Sequence, residues 1–342
     1  MVAAIVVALI YLVALLAEFV APFSADAMQP QSAFAPPQTL KFVRSDNRGT
    51  HIQLHVLGYR SHVDPESFKR VFATDSNDVI AVGFFVKGEP YRLLGIFPAE
   101  RHLIGPIEPG RPMFLSGADR MGRDVLSRTI YGARVSLSIG LVGVFSSLIL
   151  GILIGGWSGL AGGIIDLIIQ RLIEFLRSIP LIPLWMGLAA AVPQTWSSLR
   201  VYFAITLLLS LVGWTGLARE VRAKFIAMKN EDFVIAARLD GAGETNIIFK
   251  HMVPSFLSHI IANVTLAIPA MILTETALSF VGVGLRAPAV SWGVLLQDAQ
   301  NIRAVTNAPW LFLPGAGVVV AVLSMNFLGD GLIDAADPYS ER

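Results

Sequence analysis

The chain is written in long apolar blocks divided by short polar breaks. Nearly unbroken apolar runs cover residues 2–21, 135–157, 164–192, 201–218, 256–283 and 310–328. A helix needs about 20 mostly apolar residues to cross the hydrocarbon core of a bilayer, so the pattern predicts six transmembrane helices. The third block carries Asp166, Gln170, Arg171, Glu174 and Arg177 in its first half, and Pro180, Pro183 and Pro193 are placed to kink or end it. Residues 23–116 interrupt the pattern. A Pro-, Ala- and Gln-rich linker reaches residue 37, and three segments of strand character follow: IQLHVLGY from Ile52, VIAVGFFV from Val79 and YRLLGIF from Tyr91. The expected fold class is an all-α polytopic membrane protein of six helices, with a small β-rich insertion between the first two. The expected division is a first helix at 1–22, the insertion at 23–116, and a five-helix core at 117–342 that holds a polar loop at 219–254.

Composition agrees. Of 342 residues, 54% are apolar and 15% charged, against about 25% charged in soluble domains. A net charge of +1 points to no nucleic-acid surface, and zero cysteines exclude disulfides and thiolate sites. His51 and His55 form a close pair without a third ligand, and read as surface or strand histidines. The run 2–21 is too long for a signal-peptide core and lacks a basic segment before it; a retained span is expected, with a short basic tail ahead of Met1. Arg219, Arg222, Lys224, Lys229, Arg238 and Lys250 crowd the segment between the fourth and fifth spans, which marks it as cytoplasmic. Both termini then lie inside and the insertion outside. Arg120, Arg123, Arg128 and Arg134 fall outside, against the trend.

The stretch EDFVIAARLDGAGETNIIFKHMVP, residues 231–254, stands out between two lipid-seeking runs. As a helix it places Ala237 and Gly241 on one face with Ala236 one step round, a small-residue face that admits close approach. Asp232, Asp240 and Glu244 keep it polar, and Pro254 separates it from the fifth span. On these grounds alone a docking helix and an ordinary amphipathic loop helix are equally open.

The run AARLDGAGETNIIFKHMVP resembles the cytoplasmic loop signature of permease subunits of bacterial ABC importers, with Ala236, Ala237, Gly241, Val253 and Pro254 matching and Ile235 standing where glutamate is usual. Three further stretches resemble the dipeptide and oligopeptide branch: residues 117–140, 275–296 and 326–338. The resemblance implies the binding-protein-dependent permease core, and it assigns the loop as a coupling helix that fits a cleft on a cytoplasmic ATP-binding subunit. Asp232, Ala236, Ala237, Asp240, Gly241, Glu244 and Pro254 are then the coupling residues. The implied partners are a second homologous permease, the ATPase subunits, an external solute-binding protein and the lipid bilayer of the bacterial inner membrane. The solute implied is a peptide, with oligosaccharide, opine or metal chelate as alternatives.

The chain itself holds no Walker A sequence and no Gly-Lys dipeptide. No cofactor and no catalysis are expected; ATP belongs to the partner subunits. Gly155, Gly156, Gly159, Gly162 and Gly163 read as a tight hairpin. The charges of the third span either serve function, the default for intramembrane charge, or pair at the interface. Glu275 either faces the translocation path or bonds to a neighbouring helix. Rival readings are an ion-driven secondary transporter, which requires inverted repeats and midplane carboxylates, and a membrane-anchored sensor.

Overall fold

A computed structural model describes residues 1–46, 49–63, 65, 70–193 and 195–336, without the side chains of 45, 46, 49–51, 258, 259, 303 and 336. Asp337 and Pro338 of the last motif and the side chain of His51 therefore lie outside the described residues. His55 is buried, its Nδ1 2.8 Å from the Gln53 carbonyl.

The insertion is an antiparallel meander in the order β1-β2-β3-β4: Lys41–Asp46, Gly49–Val63, Arg70–Leu93 and Phe97–Pro106. Two of the expected strand segments lie within β2 and β3. The third, from Tyr91, is corrected: it spans a hairpin turn at Leu94 and Gly95, with φ of 54° and 76°. Two left-handed residues match the twist of a tight hairpin, but Leu-Gly lacks the Asn-Gly or Asp-Gly signature that reveals such turns. Val56, Ile80, Val82 and Met113 form the core of this unit.

The insertion is fastened to the helical part. Buried His102 on β4 meets the Ala21 carbonyl at 2.7 Å through Nδ1. Phe23 N donates to Ser127 Oγ at 3.1 Å, and Arg128 donates to the Ala25 carbonyl at 2.7 Å. The four arginines that break the charge trend are all paired within the chain. Arg123 and Arg128 face Asp119, Arg120 faces Asp298, and Arg134 faces Glu18.

The helices used below are α1 (Val2–Leu15), α2 (Val125–Ala161), α3 (Gly163–Ser178), α4 (Leu181–Ala190), α5 (Ser198–Met228), α6 (Asp232–Leu239), α7 (Leu257–Val281), α8 (Trp292–Leu296) and α9 (Leu313–Ala336). Among the described residues, four helices are long and apolar enough to cross a membrane: α2, α5, α7 and α9. The α3–α4 pair passes the same test jointly but bends by 85°, at Ile179 and Pro180. Proline there disfavours helix in the residue before it. The first apolar run yields the 14 residues of α1 and, after a break at Leu16, one further helical turn at Ala17–Val20. Arg134 explains the break. Its guanidinium takes the Ala14 and Leu15 carbonyls at 2.9 Å and grips both Glu18 oxygens at 2.5 Å, so carbonyls that would continue the helix are capped from α2. The fourth helix runs ten residues past its apolar run, so Arg219, Arg222 and Lys224 sit on α5 rather than in a loop.

α2 packs most extensively on α5. The glycine-rich reading is corrected here: only Gly162 and Gly163, with φ of 62° and 55°, make the turn. Gly151, Gly155 and Gly159 are interior to α2, four residues apart on one side. A Cβ added at Gly155 would lie 2.3 Å from the Ala218 carbonyl oxygen, and one at Gly159 would lie 2.7 Å from Phe225 Cβ. Lower on α2, Ser210 Oγ donates to the Gly143 carbonyl at 3.1 Å. Small residues at four-residue spacing let membrane helices pack by backbone contact. Gly155→Leu is therefore expected to cost about 1–3 kcal/mol by overpacking, whereas Gly216→Ala, with open space around its Cβ, should be tolerated. Thermal unfolding of the two purified variants checks this; equal midpoints would refute the close contact.

Candidate functional site

The polar loop is two helical pieces, not one helix. α6 begins after Glu231, which is extended, and ends at Asp240. Gly241 follows with φ +78°, its N–H bonded to the Arg238 carbonyl and that of Ala242 to the Ala237 carbonyl, both at 3.0 Å. These paired bonds are a Schellman termination, which needs a left-handed residue in the glycine position. A Cβ on Gly241 would meet nothing within 4 Å. Gly241 is thus required by backbone conformation, and no group of this chain approaches it closely. The second piece runs through Glu244–Asn246, a widened π turn at Ile247–Met252, and Val253–Ser255. Pro254 sits in the first turn of that last piece, and the break from α7 falls at Phe256, with φ −131° and ψ 27°. A proline lacks an N–H and crowds the carbonyl four residues back; the wide turn relieves that crowding.

The two alanines face opposite ways. Ala237, 5% exposed, joins Val234, Ile247, Ile248 and Met252 in a cluster with Ile152 and Leu160 of α2, Phe225 of α5, Phe256, and Ile260 of α7. Ala236 is exposed, together with Asp232, Ile235 and Leu239, the spacing of one helix face. Leu239 is 83% exposed. Asp240 and Gly241 are exposed at the turn. Glu244 is occupied, accepting from Trp157 Nε1 at 2.7 Å, and so holds the loop against the end of α2. Close by, Arg222 clamps Asp166 bidentately at 2.5 and 2.6 Å, while Arg171 and Glu174 pair at 2.8 Å on the surface. Of the third span's charges, Asp166, Arg171 and Glu174 are therefore engaged in ion pairs.

Glu275 lies far from the loop along α7 and is 0% exposed. Its carboxyl accepts from Ser136 of α2 at 3.1 Å, Ser279 of α7 at 2.8 Å and Ser291 at 2.9 Å. Ser291 caps α8 by accepting from Val294 N, and Ser136 Oγ in turn accepts from Trp292 N. One carboxyl therefore joins the segment 275–296 to the segment 117–140. Sequence reasoning passed over these serines, as it did Glu18 as the partner of Arg134; the four-residue repeat Ser136, Gly140 on α2 was the available signal.

Two outcomes follow. Gly241→Ala should weaken the α6 terminus by about 1–2 kcal/mol, and Gly241→Asn should recover part of that. Amide exchange over residues 232–246 checks it: equal protection in both variants would sink the conformational account. Glu275→Ala leaves three hydroxyls without their acceptor, at about 1–3 kcal/mol for each buried group left unsatisfied. Glu275→Gln, which keeps one oxygen, should lose less; thermal unfolding in detergent ranks the two.

Residues 148–341 match the family model described as "Binding-protein-dependent transport system inner membrane component". The chain is 35% identical over 223 residues to the oligopeptide transport system permease protein OppC of Bacillus subtilis, covering 65% of this chain and 70% of that one. It is 37% identical over 228 residues to the dipeptide transport system permease protein DppC of the same organism, covering 66% and 69%. A solved MetNI methionine ABC transporter chain in an inward-facing conformation is similar with a TM-score of 0.49 and 20% identity, over 62% of this chain and 97% of that one. The matched region contains α3 to α9, the loop and Glu275, so the geometry above is that of a membrane permease: this chain belongs to the family of binding-protein-dependent transport system inner membrane components.

Proposed function

We propose that the chain is one permease subunit of an ATP-driven importer of peptides. It lines a pathway together with a second homologous permease and is driven by ATP-binding subunits that dock on the 231–254 loop. The peptide assignment rests on the relatives, whose names are those of oligopeptide and dipeptide permeases. In this reading α1, α2, the bent α3–α4 pair, α5, α7 and α9 are the six spans. The loop and both termini lie in the cytoplasm, the insertion lies outside, and an external binding protein delivers solute there. The division at 1–22, 23–116 and 117–342 follows the same scheme.

The observation that carries the reading is the double-sided α6. Its inner face, through Val234 and Ala237, is built into a cluster shared by the cytoplasmic ends of α2, α5 and α7. Its outer face offers Asp232, Ile235, Ala236 and Leu239 to a partner. A force applied to the outer face is transmitted to three helices at once. The Arg222–Asp166 pair extends the same body to α3. Ile235 in place of a carboxylate shifts docking toward apolar contact, with Asp232 and Asp240 as the charges left free for a partner, since Glu244 is engaged by Trp157. Glu275 is read as a joint between α2, α7 and α8 in preference to a pathway residue.

The chain performs no chemistry on solute; ATP closes the ATPase pair, and the loop carries that movement into the spans. In the reconstituted complex, Leu239→Asp should lower solute-stimulated ATP hydrolysis at least tenfold while the permease pair remains folded. Unchanged stimulation would overturn the docking role, and transport without any ATPase subunit would overturn the importer. Mass spectrometry of solute carried by the cognate binding protein should find peptides.

A further inference from the structure

The β3–β4 hairpin leaves an apolar tip uncovered. Leu94, Ile96 and Phe97 at the turn are exposed, Ile96 by 69%, and Phe84 and Phe85 behind it are exposed as well. Exposed apolar clusters of this kind mark a contact with another protein or with lipid. Their position decides between the two. The tip stands at the end of α1 from which the insertion departs. Phe85 packs on Phe19 with ring centroids 5.9 Å apart, and the Leu94 backbone lies against the Glu18 carboxylate. β4 is held to the same place by His102 on the Ala21 carbonyl. The exposed side of α1 is itself apolar: Val2, Ile5, Leu9 and Leu12 recur at three- and four-residue spacing. The hairpin tip therefore continues the apolar face that α1 turns outward.

The tip lies beside Phe19, in the helical turn Ala17–Val20 that continues the first apolar run after the break at Leu16. Arg92, one position before the end of β3, and Arg101 on β4 are both exposed and lie on the two strands behind the tip. The fit is to an acyl-chain boundary with anionic headgroups above it.

We infer that the Leu94–Phe97 turn of the insertion is seated in the outer boundary of the bilayer beside α1 and extends the apolar face that α1 turns outward. The inference rests on the reading of α1 as membrane-embedded, and the test separates the two. The chain has no cysteine, so single replacements label uniquely. Ile96→Cys, Leu9→Cys and Ser61→Cys are each labelled with an environment-sensitive fluorophore. Ser61 is exposed and pairs with Phe72, near the far end of β3. The full chain is reconstituted in phosphatidylcholine vesicles containing phosphatidylglycerol. Nitroxide lipids should quench the Leu9 and Ile96 labels several-fold more than the Ser61 label, while iodide in the buffer reaches only Ser61. Quenching of Leu9 but not Ile96 would overturn this inference and leave the span intact. Failure at both positions would remove the membrane reading of α1 itself. Protection of Ile96 that appears only when the partner subunits are added would also overturn it, in favour of a protein contact.

Discussion

Two helices that meet in lipid gain nothing by excluding water, so their association has to come from close packing and from hydrogen bonds made across the interface. In this chain that demand falls on α2. Gly151, Gly155 and Gly159 let the backbone of α5 approach until side chains are excluded, and Ser147 and Ser210 bond to opposing carbonyls in the same seam. Gly140 and Gly143 serve in the same way against Ile272 and Met271 of α7. Because α2 is 37 residues long, its small-residue sides set the spacing of the core at both ends. At one end they bring Arg222 within reach of Asp166; at the other they bring Ser136 to Glu275.

The charged groups of this core lie near the places where a helix stops or starts. Arg134 caps α1 and pairs with Glu18 at its break. Glu275 is bonded to the serine that starts α8. Asp166 takes Arg222 beside the Gly162–Gly163 turn. Backbone groups freed at such places have no water to satisfy them and need internal partners, and charged side chains at the same depth need counter-charges or donors. One group answers both needs at each joint. The arrangement also accounts for the arginines that defied the charge asymmetry: charges engaged by partners within the chain do not report on orientation as free loop lysines do.

The helical blocks were legible because a membrane span is a composition signal: the expected position came within two residues at both ends of α7 and within three at the start of α9, which runs eight residues further than its apolar block. The strands were legible in β2 and β3 and missed in β1 and β4. The turn at Leu94 has the geometry of a tight hairpin without its usual residues, so an apolar run was read straight through it. The break in the first apolar run was hidden for a different reason: Glu18 is the one charge in residues 2–21, and the break after Leu15 is set from α2 by Arg134, a contact 119 residues away in sequence. The glycines on α2 were visible but assigned to a turn, because four-residue spacing and turn chemistry draw on the same residue. At the loop, two of the motif residues have structural roles within the chain that the sequence did not reveal. Ala237 and Gly241 answer to the chain's own core and backbone, and the face left for a partner is the one next to them.

That reassignment bears on how a motif of small residues can pass force. A loop helix that docked through its alanines and glycine alone would have nothing rigid behind it, and a push on it would be lost in bending. Here the residue required to be small and buried, Ala237, lets α6 lie close on Phe225 and Ile248, and the residue required to be left-handed, Gly241, turns the chain back so that Ile247 and Met252 enter the same cluster. The loop is therefore packed as part of the membrane core even though it lies beyond the spans. Its outer face is free to vary, because contact there depends on a matching surface and not on this fold. Isoleucine at 235 fits that division of labour: it changes what the loop offers outward, and leaves unchanged how the loop is held.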